Sequence, residues 1–244
     1  MKNISAVIVV YNEEENIREC IATLGFSEEI LVIDTGSDDE TAVIASSLGA
    51  RVIQAEVNYP EFKKNIGIDE ARSDWIFVID ADERVTPELA SEIESLADDG
   101  DTAGYGIYRK NFFMGKEIRR CGWESDRVVR LFRKESGRYP DKLVHGVLSL
   151  KGPEKTLKGR LEHHSYRKVS DYLKKVDKYT LWAATERKKK TGPLKLFFNP
   201  FFRFHKMYFL RLGFLDGAHG FALCAMASFS VFLKYFRAYL GEKV

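Results

Sequence analysis

The sequence predicts an α/β fold built on a parallel sheet covered on both faces. Through the first half of the chain, runs rich in Val and Ile alternate with helical stretches, the pattern that places helices on both sides of a parallel sheet. The longer runs are predominantly apolar and do not alternate regularly with polar residues, as befits strands buried on both faces. Polar residues gather where the runs end, at Tyr11-Asn12, Asp34 and Asp80 to Asp82, and ligands of such sheets bind beyond the carboxyl ends of the strands.

The elements follow in order. Ile4-Ser5-Ala6-Val7-Ile8-Val9-Val10 is the first strand. Residues 13–24 read as a helix with Ile17, Cys20, Ile21 and Leu24 on one face, the spacing of an amphipathic helix. Ile30-Leu31-Val32-Ile33-Asp34 is the second strand. Ser37, with Glu40 three residues on, reads as a capping box for a helix through Leu48, which Gly49 stops. Residues 51–55 form a short strand and 60–71 a helix. Trp75-Ile76-Phe77-Val78-Ile79 is a fourth buried strand, and Thr86-Pro87-Glu88 opens a helix with proline in its first turn. From Gly104 the character changes. Residues 105–110, 128–133, 143–150 and 157–163 read as strands without long helices between them. Residues 169–190 read as a long Lys-rich helix, and 194–240 as aromatic, basic and apolar helical sequence.

The 244 residues are 45% apolar, enough for a sizeable core, and 38 basic against 36 acidic residues leave a net charge of +2. That balance argues against a dedicated nucleic-acid binder. Cys20, Cys121 and Cys224 are far apart and odd in number, which predicts neither a zinc site nor a disulfide framework and points to a reducing compartment. Acidic residues follow the first apolar run at once, unlike an export signal. No apolar run reaches the roughly 18–20 residues of a membrane span; residues 218–233 come closest, interrupted by His219. A cytoplasmic chain is expected.

Asp80-Ala81-Asp82-Glu83 follows the fourth strand. Two carboxylates one residue apart can offer oxygens to a hard divalent cation such as Mg²⁺ or Mn²⁺, with phosphate and water completing its shell. The competing reading is a polar loop before a helix. Asp34 could accept hydrogen bonds from a nucleobase or ribose, with Gly36 allowing the sharp turn that follows.

Val9-Val10-Tyr11-Asn12-Glu13-Glu14, Asp34-Thr35-Gly36-Ser37-Asp38-Asp39 and Asp80-Ala81-Asp82-Glu83 occur in the order and spacing of family 2 glycosyltransferases, which the chain resembles. Phe112-Phe113-Met114-Gly115, Gly122-Trp123, Arg130-Leu131-Phe132-Arg133, Val144-His145, His163-His164-Ser165 and Leu215-Asp216-Gly217 extend the likeness to a subgroup that builds lipopolysaccharide cores, nearest to inner-core β-1,4-glucosyltransferases. The resemblance implies a GT-A (Rossmann-like) nucleotide-diphospho-sugar transferase fold, with residues 1–165 catalytic (1–100 for the donor, 101–165 on the acceptor side) and 166–244 a helical extension. It implies an inverting transfer of a hexose, glucose first, from a nucleotide sugar such as UDP-glucose to a lipid-linked saccharide of the lipopolysaccharide core or a related surface glycan. Tyr11, Glu13 and Asp34 would line the nucleotide pocket, and Lys64 and Asn65 would contact base or phosphate. Asp82 would be the main metal ligand, Asp80 would touch ribose or metal, and His163 would be a further ligand to metal or diphosphate.

The subgroup's Val-His-Glu reads Val144-His145-Gly146 here, so the expected carboxylate base is missing. Asp126, favoured, His145 or Asp141 could remove the acceptor proton instead; Asp126 could equally pair with Arg127 or Arg130. Lys188-Lys189-Lys190, Lys195, Arg203, Lys206 and Arg211 surround the aromatic stretch 196–206, which suggests peripheral contact with an anionic membrane or association between copies through the C-terminal helices. Two other functions compete. A nucleotidyltransferase that makes sugar nucleotides would need a Gly-rich basic loop after the first strand, where this chain has Glu13-Glu14-Glu15. A catalytically weak glycan-binding relative would suit Gly146.

Overall fold

The structure is a computed structural model and describes residues 3–55, 60–97, 100–140, 147–185 and 192–242. The chain forms two compact units, Met1–Arg109 with Arg127–His163, and Lys110–Asp126 with His164–Val244.

In the first unit the elements are β1 (Ile4–Val10), α1 (Ile17–Ala22), β2 (Glu29–Asp34), α2 (Thr41–Ser47), β3 (Arg51–Gln54), α3 (Pro60–Glu70), β4 (Trp75–Asp80), β5 (Glu83–Val85) and α4 (Pro87–Ser95). There follow β6 (Gly104–Phe113), β7 (Lys116–Ile118, in the second unit), β8 (Arg127–Arg133), β9 (Gly137–Arg138), β10 (Ser149–Leu150) and β11 (Glu154–Tyr166). The main sheet runs β3-β2-β1-β4-β8-β6-β11-β5. β1 lies between β2 and β4, all parallel, and β8 joins β4 antiparallel.

Side chains of β1 alternate between two cores, as a pleated strand requires. Ile4, Ala6, Ile8 and Val10 join Ile17, Cys20 and Leu24 of the α1 region and Leu89 of α4. Val7 turns the other way, to Ile68 of α3 and Phe132 of β8. Both faces are therefore covered, as expected. At Gly67 of α3 a Cβ would stand 2.2 Å from Val7 Cγ1, so the absence of a side chain lets this helix lie close on β1. α4 opens at Thr86-Pro87 as expected, and Thr86 also caps it, its hydroxyl accepting from Leu89 N at 3.3 Å.

Several expectations need correction. Residues 13–16 form a turn before α1, with Asn16 N and Ile17 N donating to Glu13 O. Ser37 does not cap α2; Glu40 holds that position without a side-chain cap. The buried Asp34 carboxylate captures Ser37 instead, taking hydrogen bonds from its N–H at 3.0 Å and its hydroxyl at 2.7 Å. Residues 141–146, including Asp141 and His145, lie outside the described residues, and of the strand expected over 143–150 the stretch Ser149–Leu150 pairs with β9 apart from the main sheet.

In the second unit the distal end of β6 pairs with β7. Helices α5 (Val169–Thr185), α6 (Leu194–His205) and α7 (Gly217–Leu240) follow, with a π turn at Lys206–Leu210 and a 3-10 turn at Gly213–Asp216 between the last two. Phe113, Tyr172, Val176, Met207, Leu223 and Cys224 form its core. The expectation that no segment reaches membrane-spanning length is also corrected. Gly213–Leu240 is long and apolar enough to cross a membrane by length and composition, because His219 falls in the first turn of α7 and does not interrupt it.

Candidate active site

The parallel strands of the first unit deliver three loops. After β1, Asn12 adopts φ +53°, a left-handed conformation that asparagine tolerates better than most residues. Its side chain exchanges hydrogen bonds with the loop after β2, Nδ2 donating to Asp38 Oδ1 at 2.5 Å and Oδ1 accepting from Asp38 N at 3.0 Å. Glu13 N donates to Thr41 Oγ1 at 2.8 Å. The two loops are thus laced together. Tyr11 stands exposed on them, and the Glu13 carboxylate accepts from Asn16 Nδ2 at 2.7 Å.

Asp34, at the end of β2, is fully buried. One carboxylate oxygen holds Ser37, and the other accepts from Gln54 Nε2 at 2.9 Å. A carboxylate has about four acceptor positions, so these bonds fix its orientation without exhausting it.

The third loop carries the paired aspartates. Asp80 ends β4 and meets two cations, Lys64 Nζ at 2.9 Å on one oxygen and Arg130 Nη2 at 2.5 Å on the other. Burial opposes its ionisation, but the Arg130 guanidinium and the Lys64 ammonium outweigh that and hold the carboxyl well below the usual carboxylate range. Arg130 Nη2 also reaches Glu83 Oε1 at 2.6 Å, and Arg109 Nη1 approaches the same oxygen at 3.2 Å. Glu83 Oε2 accepts from Asp80 N at 3.0 Å. Arg84 braces the turn from beneath, donating to the carbonyls of Ala81 and Glu83 at 2.7 Å and to Glu19 Oε2 at 2.9 Å. These roles of Glu83, Arg84, Arg109 and Arg130 are not among those expected from the sequence. A signal was present in the arginine at an inward position of β8, which calls for a buried acid.

Asp82 lies two residues on from Asp80, in the same turn. β5 pairs with β11 so that Glu83 lies opposite His163, and this register sets His163 Nε2 3.7 Å from Asp82 Oδ2. Asn65 is engaged elsewhere, its amide pairing twice with the backbone of Tyr139, at 2.9 and 3.0 Å. Among the described residues, no group of three or more His, Cys, Asp or Glu side chains converges as a metal centre. The Asp82–His163 pair suits a cation that takes few protein ligands and completes its shell with phosphate oxygens and water.

Asp126 belongs to the second unit. Its carboxylate accepts from the buried Asn111 Nδ2 at 2.9 Å. The arginines considered as its partners are engaged elsewhere, Arg127 with Glu154 and Thr156, and Arg130 with Asp80 and Glu83. In the same unit the buried Asp216 accepts from the backbone N–H groups of Arg119 and Arg120 at 3.1 and 2.9 Å. Asp216 thereby fixes the loop that leads to Trp123.

Three loops gathered at the carboxyl ends of a parallel sheet place the chain among the α/β folds that bind ligands at such ends, and comparison with known proteins says which. The model of glycosyl transferase family 2 matches residues 5–150, and the chain belongs to that family. It is 28% identical over 225 residues to the lipopolysaccharide core biosynthesis glycosyltransferase LpsC of Rhizobium meliloti, covering 88% of this chain and 82% of that protein. It is 26% identical to an uncharacterized glycosyltransferase of Rickettsia typhi, covering 96% and 86%. Among solved structures, S. aureus TarS 1–349 superposes with a TM-score of 0.51 at 14% identity, covering 98% of this chain and 90% of that one. The fold is that of the GT-A glycosyltransferases, with a helical, aromatic-rich C-terminal region.

Proposed function

We propose that this glycosyltransferase performs an inverting transfer of a hexose, with glucose the first candidate, from a nucleotide sugar to a lipopolysaccharide-core or related cell-surface glycan on a lipid-linked acceptor. The observation that carries the proposal is the Asp82–His163 pair beside the Lys64–Asp80–Arg130 cluster at the end of β4. The likeness to LpsC supports the acceptor class. TarS 1–349, solved in complex with UDP and superposing at a TM-score of 0.51, supports a uridine nucleotide.

Asp82 and His163 would hold Mg²⁺ or Mn²⁺, which when bound neutralises charge on the departing diphosphate. Asp80 carries Lys64 and Arg130 as counter-ions, so a diphosphate arriving there meets cations already oriented. Lys64 is the more available of the two, on the margin of the cluster. Tyr11, Glu13 and Asp34 border the nucleoside, with Asn65 fixing the Tyr139 backbone nearby. On the acceptor side, Asp126 takes the proton from the attacking hydroxyl, its orientation set by Asn111; His145 is the alternative base. Inversion needs such a base and no covalent intermediate. Residues 1–165 would carry the transfer and 166–244 would be an extension, working at the inner face of the cytoplasmic membrane.

Thermal-shift and product-release assays across UDP-glucose, UDP-galactose, UDP-N-acetylglucosamine and GDP-mannose, each with Mn²⁺, test this reading. UDP-glucose should raise the melting temperature most and release UDP slowly. A preference for a guanosine donor would overturn the donor assignment, and no response to any donor would overturn the proposal.

A further inference from the structure

We propose that α6 and the π turn after it form a seat for an anionic lipid surface, lying in the plane of the bilayer interface. This goes beyond the transfer reading and does not depend on it. The inner side of α6 is already used. Pro200 and Met207 are buried, Ser228 Oγ of α7 donates to Pro200 O at 2.8 Å, and Phe204 meets Phe221 edge-on at 5.8 Å. The outer side, which in a water-facing helix carries polar residues, is apolar here. Leu194, Phe197, Phe198, Phe201, Phe202 and Phe209 are all at least half exposed, Phe197 at 72% and Phe202 at 61%. They follow helical spacing, so they form one continuous ridge, and Phe198 stacks on Phe202 at 6.3 Å. A ridge of this kind is larger than the scattered apolar residues of an ordinary surface.

The charges select the occupant. Residues 192–215 contain no Asp or Glu, while Lys195, Arg203 and Lys206 are exposed, as is Arg211, which pairs with Glu124 at 3.3 Å. Two copies meeting through this ridge would bring like charges together. An anionic leaflet accepts both the phenylalanines and the cations. α6 and the π turn together span 17 residues, 12 and five, a length of about 25 Å at 1.5 Å per residue. That is short of the roughly 30 Å hydrocarbon core, and cations punctuate its length, so the segment lies along the surface. The longer α7 is tied back into its own unit, Arg237 donating to the Asp177 carboxylate at 2.5 Å and to Thr180 Oγ1 at 3.0 Å of α5.

Flotation of the full chain with vesicles tests the seat. With phosphatidylglycerol–phosphatidylethanolamine vesicles at low salt the protein should float, and with phosphatidylcholine vesicles it should largely remain behind. The triple variant Phe197→Ser, Phe201→Ser, Phe202→Ser should lose flotation while keeping its circular dichroism and donor turnover. Lys195→Glu with Lys206→Glu should lower affinity for the anionic vesicles by at least roughly tenfold. Bound protein should be released by an alkaline carbonate wash. Absence of flotation by the wild type, or flotation of the triple variant equal to wild type, would overturn the proposal. So would retention through the carbonate wash, which signifies a spanning segment. Dimers that the triple variant abolishes, without vesicle binding, would assign the ridge to a second copy and overturn the lipid assignment.

Discussion

His163 Nε2 lies 3.7 Å from Asp82 Oδ2, although 81 positions (163 − 82) separate the residues in sequence. The β5–β11 pairing creates this proximity. If the pair holds the divalent cation, Asp82→Asn should weaken Mn²⁺ binding and UDP release by more than the roughly 10- to 100-fold that even outer partners of a metal ligand cost. His163→Ala should do the same to a smaller extent, and added Mn²⁺ should restore part of its rate. Mn²⁺ titration by calorimetry in the presence of UDP reads both. Equal affinity in wild type and Asp82→Asn would remove the metal role.

Arg130 bridges Asp80 and the fully buried Glu83. Removing its guanidinium leaves the buried Glu83 carboxylate with Arg109 at 3.2 Å and the Asp80 N–H at 3.0 Å. Breaking one side of such a pair costs about 3–5 kcal/mol, so Arg130→Ala should lower the urea midpoint substantially. Arg130→Lys supplies charge without the planar fork that serves two carboxylates and should fall between. An unchanged midpoint for Arg130→Ala would show that the bridge contributes nothing to the fold.

Asp126 is held by Asn111 at 2.9 Å. As the acceptor base, its replacement in Asp126→Asn should slow glycosyl transfer by roughly 10²–10⁴-fold. Donor affinity should be unchanged, since the residue is assigned no contact with the nucleotide. Full transfer activity in this variant would move the base to another residue, His145 being the next to replace.

The strands and the paired aspartates were legible because their signals are local. Ile4 to Val10 is apolar but for Ser5, Trp75 to Ile79 is apolar without interruption, and Asp80 stands where the second run stops. The site's internal wiring was not legible, because its partners are distant in sequence: Arg130 is fifty positions from Asp80, and only the antiparallel β4–β8 pairing brings them together. Ser37 was misread for a related reason. Capping preference is a local propensity, and here the Ser37 oxygen accepts from Asn12 N at 2.9 Å while its hydroxyl donates to the buried Asp34, two partners that the fold holds in place. At His219 the interruption is only apparent, since a single polar residue in the first turn does not end an apolar helix.

The lowered pKa of Asp80 fixes the sign of an acid-stability prediction. Burial raises it, but Arg130 and Lys64 outweigh burial and hold it well below the ordinary value, which is about 3.9 for aspartate. A carboxyl whose folded pKa is depressed stabilises the native state above its unfolded pKa, and the contribution is lost as pH falls through the folded value. Glu29 acts in the same direction: burial raises its pKa, and hydrogen bonds from Ser5, Arg72 N and Arg51 more than reverse this. Urea midpoints of wild type and Asp80→Asn should therefore differ by a constant amount from neutral pH down to about pH 4, with the variant less stable. Below that the two curves should converge, because acid then removes from the wild type the charge that the variant never had. A gap that persists undiminished into strong acid would mean that Asp80 stabilises the fold through the shape of its contacts and not through its charge.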